Sequence, residues 1–157
     1  MARETGLKMI ADNRRARYDF ELIDMFEAGL VLTGTEVKSL REGGADIKRA
    51  FGHLRDGEAY LVGAHIGEYA QGNIQNHETE RDRKLLLHRR ELDTLIGKVQ
   101  ELSLTLVPTR MYFKNGRVKI ELALARGKDV RDKRRDIADR EMKRQLDRAV
   151  KGGWRDD

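Results

Sequence analysis

Apolar and polar positions alternate through much of the first 125 residues, with a spacing that points to strands. In YDFELIDMF (residues 18–26), Tyr18, Phe20 and Leu22 share one face and Asp19 and Glu21 the other, which predicts a half-buried strand. Glu27-Ala28-Gly29 reads as a break, and Leu30-Val31-Leu32 as a second strand ended by Gly34. Thr35 is then the expected N-cap of a short helix, EVKSLREG, with Val37 and Leu40 facing inward and Gly43-Gly44 stopping it. Asp56-Gly57 separates FGHLR from EAYLVGAHI, and Asn115-Gly116 separates LTLVPTRMYFK from RVKIELALA. Both pairs supply the positive φ angles of a two-residue hairpin turn. Pro108 cannot donate a ladder hydrogen bond, so it marks an edge or a bulge. Between the hairpins, residues 68–80 form a polar loop. A helix is expected from Arg83 to Val99, with Leu85, Leu92, Leu95, Ile96 and Val99 as its buried stripe.

Short antiparallel strands with helices inserted between them predict a mainly β body. The expected fold is a small oligonucleotide-binding-like antiparallel β-barrel with flanking helices over residues 1–125, followed by a basic tail over 126–157. The length of 157 residues suits one modest core.

From Arg126 the pattern changes to RGKDVRDKRRDIADREMKRQLDRAVKGGWRDD. This segment cannot bury enough apolar surface to offset its ordering entropy, so it is expected to be loose alone. It nevertheless has helical periodicity. Lys133, Ile137, Arg140, Arg144, Arg148 and Lys151 make a mainly basic stripe beside a narrow apolar one of Ala138, Met142, Leu146 and Ala149. Asp136 with Arg140 and Asp139 with Lys143 each support a helix by only about 0.2–0.5 kcal/mol. Two readings follow: a tail that orders on a polyanion, or a helix docked on its own barrel through the apolar stripe.

Charge sharpens the first reading. The chain carries a net +5, of which the 12 basic and 8 acidic residues from Arg126 onward supply +4. That excess points to nucleic acid or an anionic membrane. No apolar run is long enough to span a bilayer, and the N-terminus lacks a secretory h-region. With no cysteine there is no disulfide framework or zinc knuckle, and a cytoplasmic location is the simplest reading.

Three clusters in the body carry candidate chemistry. Asn13, Arg14, Arg15 and Arg17 precede the first strong strand; arginines fork onto phosphate and an asparagine reads a base or ribose edge. Arg81, Asp82, Arg83 and Lys84 precede three consecutive leucines, Leu85, Leu86 and Leu87, and His88, Arg89 and Arg90 follow them. At a helical pitch the three leucines cannot all face one core, so one points to a partner or a loop, unless the apolar stripe is unusually wide. Lys114, Arg117 and Lys119 flank the Asn115-Gly116 turn, and Tyr112 is expected on the same face as a stacking platform. Each cluster has a plain alternative as a solvated face. His53, His65, His77 and His88 show no metal-ligand spacing, and His65 at a strand end reads as a satisfied structural histidine. No nucleophile elbow or phosphate loop is present, so no catalytic residue, metal or cofactor is expected.

Taken together, IADNRRARYDF, FEAGLVLTGTEVKSLREG, DGEAYLVGAHI, RDRKLLLHRRELDTLIGKV, LTLVPTRMYFKNGRVKIELALARGK and DKRRDIADRE closely resemble the SsrA-binding protein (small protein B) family of bacterial trans-translation. GTEVKSLR and RKLLLHRRE are its specific signatures. The resemblance implies a non-enzymatic RNA-binding adaptor, monomeric at one copy per tmRNA. Its partners would be the tRNA-like domain of tmRNA and then the small ribosomal subunit. It places Asn13, Glu27, Leu86 and Lys119 on the tRNA-like-domain contact surface. It places Arg126, Lys128, Asp132, Lys133 and Arg134 at the start of a tail that becomes helical in the decoding centre and empty mRNA channel; Arg131 beside them, and Arg140, Arg144 and Arg148 of the basic stripe, are expected to serve the same tail. The chain departs from the family pattern at Tyr18, where His is common, at Asp129, where a second Lys is usual, and at Arg131, where an aromatic or His is common. ADIKRAF also lacks the usual Ser before the aromatic.

Overall fold

The computed structural model describes residues 7–70, 76–128 and 130–153. Along the chain run β1 (Leu7–Asp12), α1 (Ala16–Asp19), β2 (Phe20–Leu30), α2 (Gly34–Glu42), β3 (Ala45–Asp46), β4 (Phe51–Arg55) and β5 (Glu58–Val62). They are followed by β6 (His65–Ile66), β7 (Arg83–Leu86), α3 (Arg89–Leu102), β8 (Thr105–Lys114), β9 (Arg117–Gly127) and α4 (Val130–Gly153). Both Asx-Gly hairpins form as the sequence dictates. Asp56 and Gly57 take φ of 52° and 74° between β4 and β5, and Asn115 and Gly116 take 52° and 78° between β8 and β9. The Pro108 irregularity is a register shift between Pro108 and Arg110 in the β8–β9 ladder.

The antiparallel strands follow the order β8-β4-β5-β7-β2-β9, and β9 returns to β8, so the sheet closes on itself. β1 adds to β8 as an extra edge strand, and β3 pairs with β6 apart from the ring. This is the mainly antiparallel, barrel-like layout with flanking helices that the pattern predicted. Inside lie Leu61, Leu85, Met111, Ile120 and Leu122, joined by Leu40 of α2. Leu95 of α3 packs on Leu106 and Leu124 at one end. On the outer side Ala16 of α1 covers Val107 and Ala125.

Three local expectations are corrected. Glu27-Ala28-Gly29 does not break a strand, and Leu30-Val31-Leu32 does not begin one. β2 runs unbroken to Leu30, because Ala28 is core and Gly29 pairs with both Lys119 and Leu86; Tyr18 belongs to α1. The N-cap of α2 is Thr33, two residues before the expected Thr35, in a capping box with Glu36: the Thr33 amide donates to Glu36 Oε1 at 2.9 Å. The helix expected from Arg83 begins only at Arg89. Arg83 to Leu86 is a strand of period two, with Arg83 and Leu85 inward and Lys84 and Leu86 outward. The leucine run is thus solved by alternation, not by a wide helical stripe.

The inward Arg83 and Glu36 are both fully buried. Glu36 accepts from Arg81 and from Arg83 Nε, and Arg83 also donates to the carbonyls of Ala64, Glu78 and Thr79. Burial alone would raise the Glu36 carboxyl, but hydrogen bonds from Arg81, the Thr33 amide and Arg83 hold it below the ordinary glutamate range. This ionic knot ties α2 to β7 and to the loops on either side. The satisfied structural histidine is His77 beside it, bonded to Thr35 and to the Ile66 carbonyl, whereas His65 is exposed.

Candidate nucleic-acid interface

Residues far apart in the chain become rows across the outer face of the sheet. One row reads Leu86, Gly29, Lys119, Tyr112, Met9 across β7, β2, β9, β8 and β1. Beside it on one side run Glu27, Glu121, Arg110 and Asp12, and on the other Arg117, Lys114 and Leu7. The period of two puts all three rows on one face. Leu86 of the second sequence cluster therefore meets the third cluster, with Glu27, on a single surface.

Gly29 lies between them. A side chain there would begin 3.4 Å from the Leu86 Cβ and 3.8 Å from the Lys119 ammonium. With none present, Leu86, Lys119, Arg117, Leu30, Leu32 and Val37 line a cleft of about 320 Å³ with an apolar floor and a cationic rim. Leu86 is 52% exposed at its edge. Neither Arg117 nor Lys119 forms an ion pair with a described carboxylate. Such a cleft has room for a planar heterocycle, with cations beside it for phosphate.

Glu27 is explained by its partners. It accepts from the Tyr112 hydroxyl and from the Lys114 ammonium at 3.2 Å. The Tyr112 bond above all, with Lys114 and Lys119 nearby, holds its carboxyl below the ordinary glutamate value; burial first, and then the carboxylate, push the phenol up. Glu27 thus aims a lysine and locks a phenol. Tyr112 is not the exposed stacking platform expected: it is 4% exposed beneath this network.

The first cluster lies along the same face. Asp12, Asn13, Arg14, Arg17, Thr109, Arg110 and Glu121 line a second cleft of about 330 Å³. Asn13 is only 5% exposed and its amide donates to the Pro108 carbonyl at 3.0 Å, so it holds the loop and is not a free base reader. Arg14, Arg15 and Arg17 project outward, Arg14 near Asp12 and Arg15 near Asp19. Arg83 is corrected as well: its guanidinium is committed to the buried knot and faces no ligand. Lys84 stays on the surface 3.9 Å from Glu58, and His88 is exposed at the start of α3 with its amide donating to Glu91. Sequence reasoning missed Arg110, Glu121 and Thr109. Thr109 and Arg110 both bond Glu121 across the ladder, and no local spacing announces that.

In the tail, Arg126 is still a strand residue, opposite Glu21. Lys128 turns back onto the body. Arg134, Arg140, Arg144 and Arg148 are exposed along α4, as are Ile137, Met142, Leu146 and Val150, so the described side chains are not docked on the barrel. The side chains of Arg131, Asp132 and Lys133 lie outside the described residues. No helix among the described residues is long and apolar enough to cross a membrane.

This chain is similar to known proteins along nearly its whole length. The SsrA-binding protein of Acidothermus cellulolyticus is 54% identical over 150 residues, covering 96% of this chain and 94% of that one. That of Saccharopolyspora erythraea is 51% identical over 158 residues, covering 98% and 100%. That of Mycobacterium tuberculosis is 54% identical over 151 residues, covering 94% of each. A solved chain described as tmRNA-SmpB of the bacterial ribosome matches with a TM-score of 0.63 at 49% identity, over 76% of this chain and 85% of that one. A family model, SmpB protein, matches residues 10–152. By these matches the chain belongs to the SmpB protein family.

Proposed function

We propose that the protein is a tmRNA-binding adaptor of trans-translation, acting in the cytoplasm as a monomer and not as an enzyme. The observation that carries this reading is the convergence of Leu86, Lys119 and Arg117 around the Gly29 cleft, on the face that also bears Lys114 and the Arg14–Arg17 loop. An apolar edge between cations suits RNA loops, whose unstacked bases are gripped by packing while phosphates are neutralised beside them. The names of the relatives support SsrA RNA as the ligand, and the solved tmRNA-SmpB chain supports the ribosome as the destination.

In this mechanism the sheet face holds the tRNA-like domain, and the body stands where a tRNA would carry its anticodon arm. The tail, which forms the exposed helix α4, enters the decoding centre and the empty mRNA channel. There Arg131, Asp132, Lys133 and Arg134 lie at its start and Arg140, Arg144 and Arg148 beyond, while Arg126 and Lys128 stay with the body. The exposed basic stripe of α4 suits a phosphate-lined channel.

The test is competition binding to the tRNA-like domain of tmRNA at near-physiological salt, with elongator tRNA and an unrelated duplex as competitors. Strong preference for the tRNA-like domain is expected. Equal binding to all three would reduce the face to a charge reader and remove the adaptor assignment.

A further inference from the structure

The C-terminal helix takes off from the same block of structure that presents the arginine cluster. The β2–β9 ladder ends at Phe20 opposite Gly127, where α1 turns into β2. At the next residue the Lys128 amide donates to the Asp19 carbonyl at 3.0 Å, and the Lys128 ammonium donates to the Arg17 carbonyl at 3.1 Å. Both acceptors are carbonyls of α1, whose short length leaves its C-terminal carbonyls without partners inside the helix. A cation there also complements the negative end of the turn.

The far side of α1 is equally fixed. The Asn13 amide N–H donates to Thr109 at 2.7 Å, its side chain donates to Pro108 at 3.0 Å, and Ala16 is buried against Val107 and Ala125. One small block therefore holds Arg14, Arg15 and Arg17 at one end and the root of the tail at the other.

We infer that Lys128 is a positioning residue, which clamps the root of the C-terminal helix to α1 so that RNA gripped by the arginine cluster sets the direction in which the tail leaves the body. This rests on the adaptor reading for its biological meaning but not for its geometry. It changes the role expected for Lys128 from a tail contact to a body anchor.

The chain has no native cysteine, so spin labels can be placed at Gln100→Cys on α3 and Ala138→Cys on α4 without other changes. Interlabel distances would be measured with and without the tRNA-like domain, in the otherwise wild-type chain, in Lys128→Met and in Lys128→Arg. RNA affinity, melting temperature and tagging rate in a reconstituted translation system would be followed in the unlabelled proteins. Lys128→Met should broaden the distance distribution and lower tagging by at least about fivefold. It should leave RNA affinity, its salt dependence and the melting temperature near wild type, and Lys128→Arg should restore much of the tagging. An unchanged distribution and tagging rate in Lys128→Met would overturn the inference. So would a drop in RNA affinity as large as the drop in tagging, which would make Lys128 a phosphate contact. If the wild-type chain fails to select the tRNA-like domain, the adaptor reading falls alone, and the distances in the RNA-free chain still decide the clamp.

Discussion

Glu27 is a carboxylate on a face rich in cations, and it works there by holding Tyr112 and Lys114 in place. Its lowered pKa means that the folded state prefers the ionised form. The stabilisation is present above the ordinary glutamate value of 4.5 and is lost as pH falls through the lower folded value. Tyr112→Phe removes the strongest of its hydrogen bonds. The Glu27 carboxyl, followed by NMR, should then titrate closer to the ordinary value, and stability should fall by about 1 kcal/mol in denaturant melts. Leu86 is the opposite kind of residue, half-exposed and holding little together. Leu86→Ala should leave the melting temperature nearly unchanged while weakening tRNA-like-domain binding by about 1–2 kcal/mol, the worth of covering its apolar edge with a base. Equal falls in stability and binding would make Leu86 a core residue after all.

Elements decide what the face can present. β7 is only four residues long, yet it carries Lys84 and Leu86 outward because the knot of Glu36 with Arg81 and Arg83 fixes its inner side. Arg83→Met takes one of two guanidinium partners from the buried Glu36 and a donor from the carbonyls of Ala64, Glu78 and Thr79, and should cost about 3–5 kcal/mol in urea unfolding. Gly52 is the closure point between β4 and β8. A Cβ there would lie 2.6 Å from the Leu106 Cβ, so Gly52→Ala should cost about 1–3 kcal/mol by forcing the strands apart. The same elements show where the sequence was readable. Asp56-Gly57 and Asn115-Gly116 declare their turns locally, because few other residue pairs adopt those φ angles cheaply. Pro108 declares its bulge for a similar reason. Leu85-Leu86-Leu87 did not declare a strand, since a four-residue run beside a helix shows too few repeats to separate a period of two from 3.6. Gly29 read as a breaker because its strand partners, Leu86 and Lys119, lie about 60 and 90 positions away. The burial of Arg83 and Tyr112 was hidden likewise: Glu36 and Glu27 are distant in sequence, and an arginine or tyrosine in a basic stretch looks like surface. The surface basic residues of the third cluster were legible because hydrophobic alternation along β9 puts them outside.

At the scale of the whole molecule, a closed sheet and an exposed charged helix divide the work. Ending the chain after Lys128 should preserve tRNA-like-domain binding and the melting transition while abolishing tagging and removing the far-UV helical signal of α4. Failure of that variant to bind RNA would mean that tail and body do not act separately. Lys119→Gln should lower the dependence of log K on log salt by about 0.7–0.9, the contribution of one neutralised phosphate. Closure also constrains how the protein is made. The ring is completed by β9, the last strand of the body, pairing along β2 near its beginning, from Phe20 opposite Gly127 to Gly29 opposite Lys119. Contacts so distant in sequence form slowly, on the order of milliseconds to seconds. None of them exists in a nascent chain until almost every codon has been read. A chain cut short before β9 would carry β2 and β8 with open edges, ready to pair with other chains or to be degraded. The complete sheet face therefore arrives only with β9, and a chain ended before that strand presents no partly working version of it.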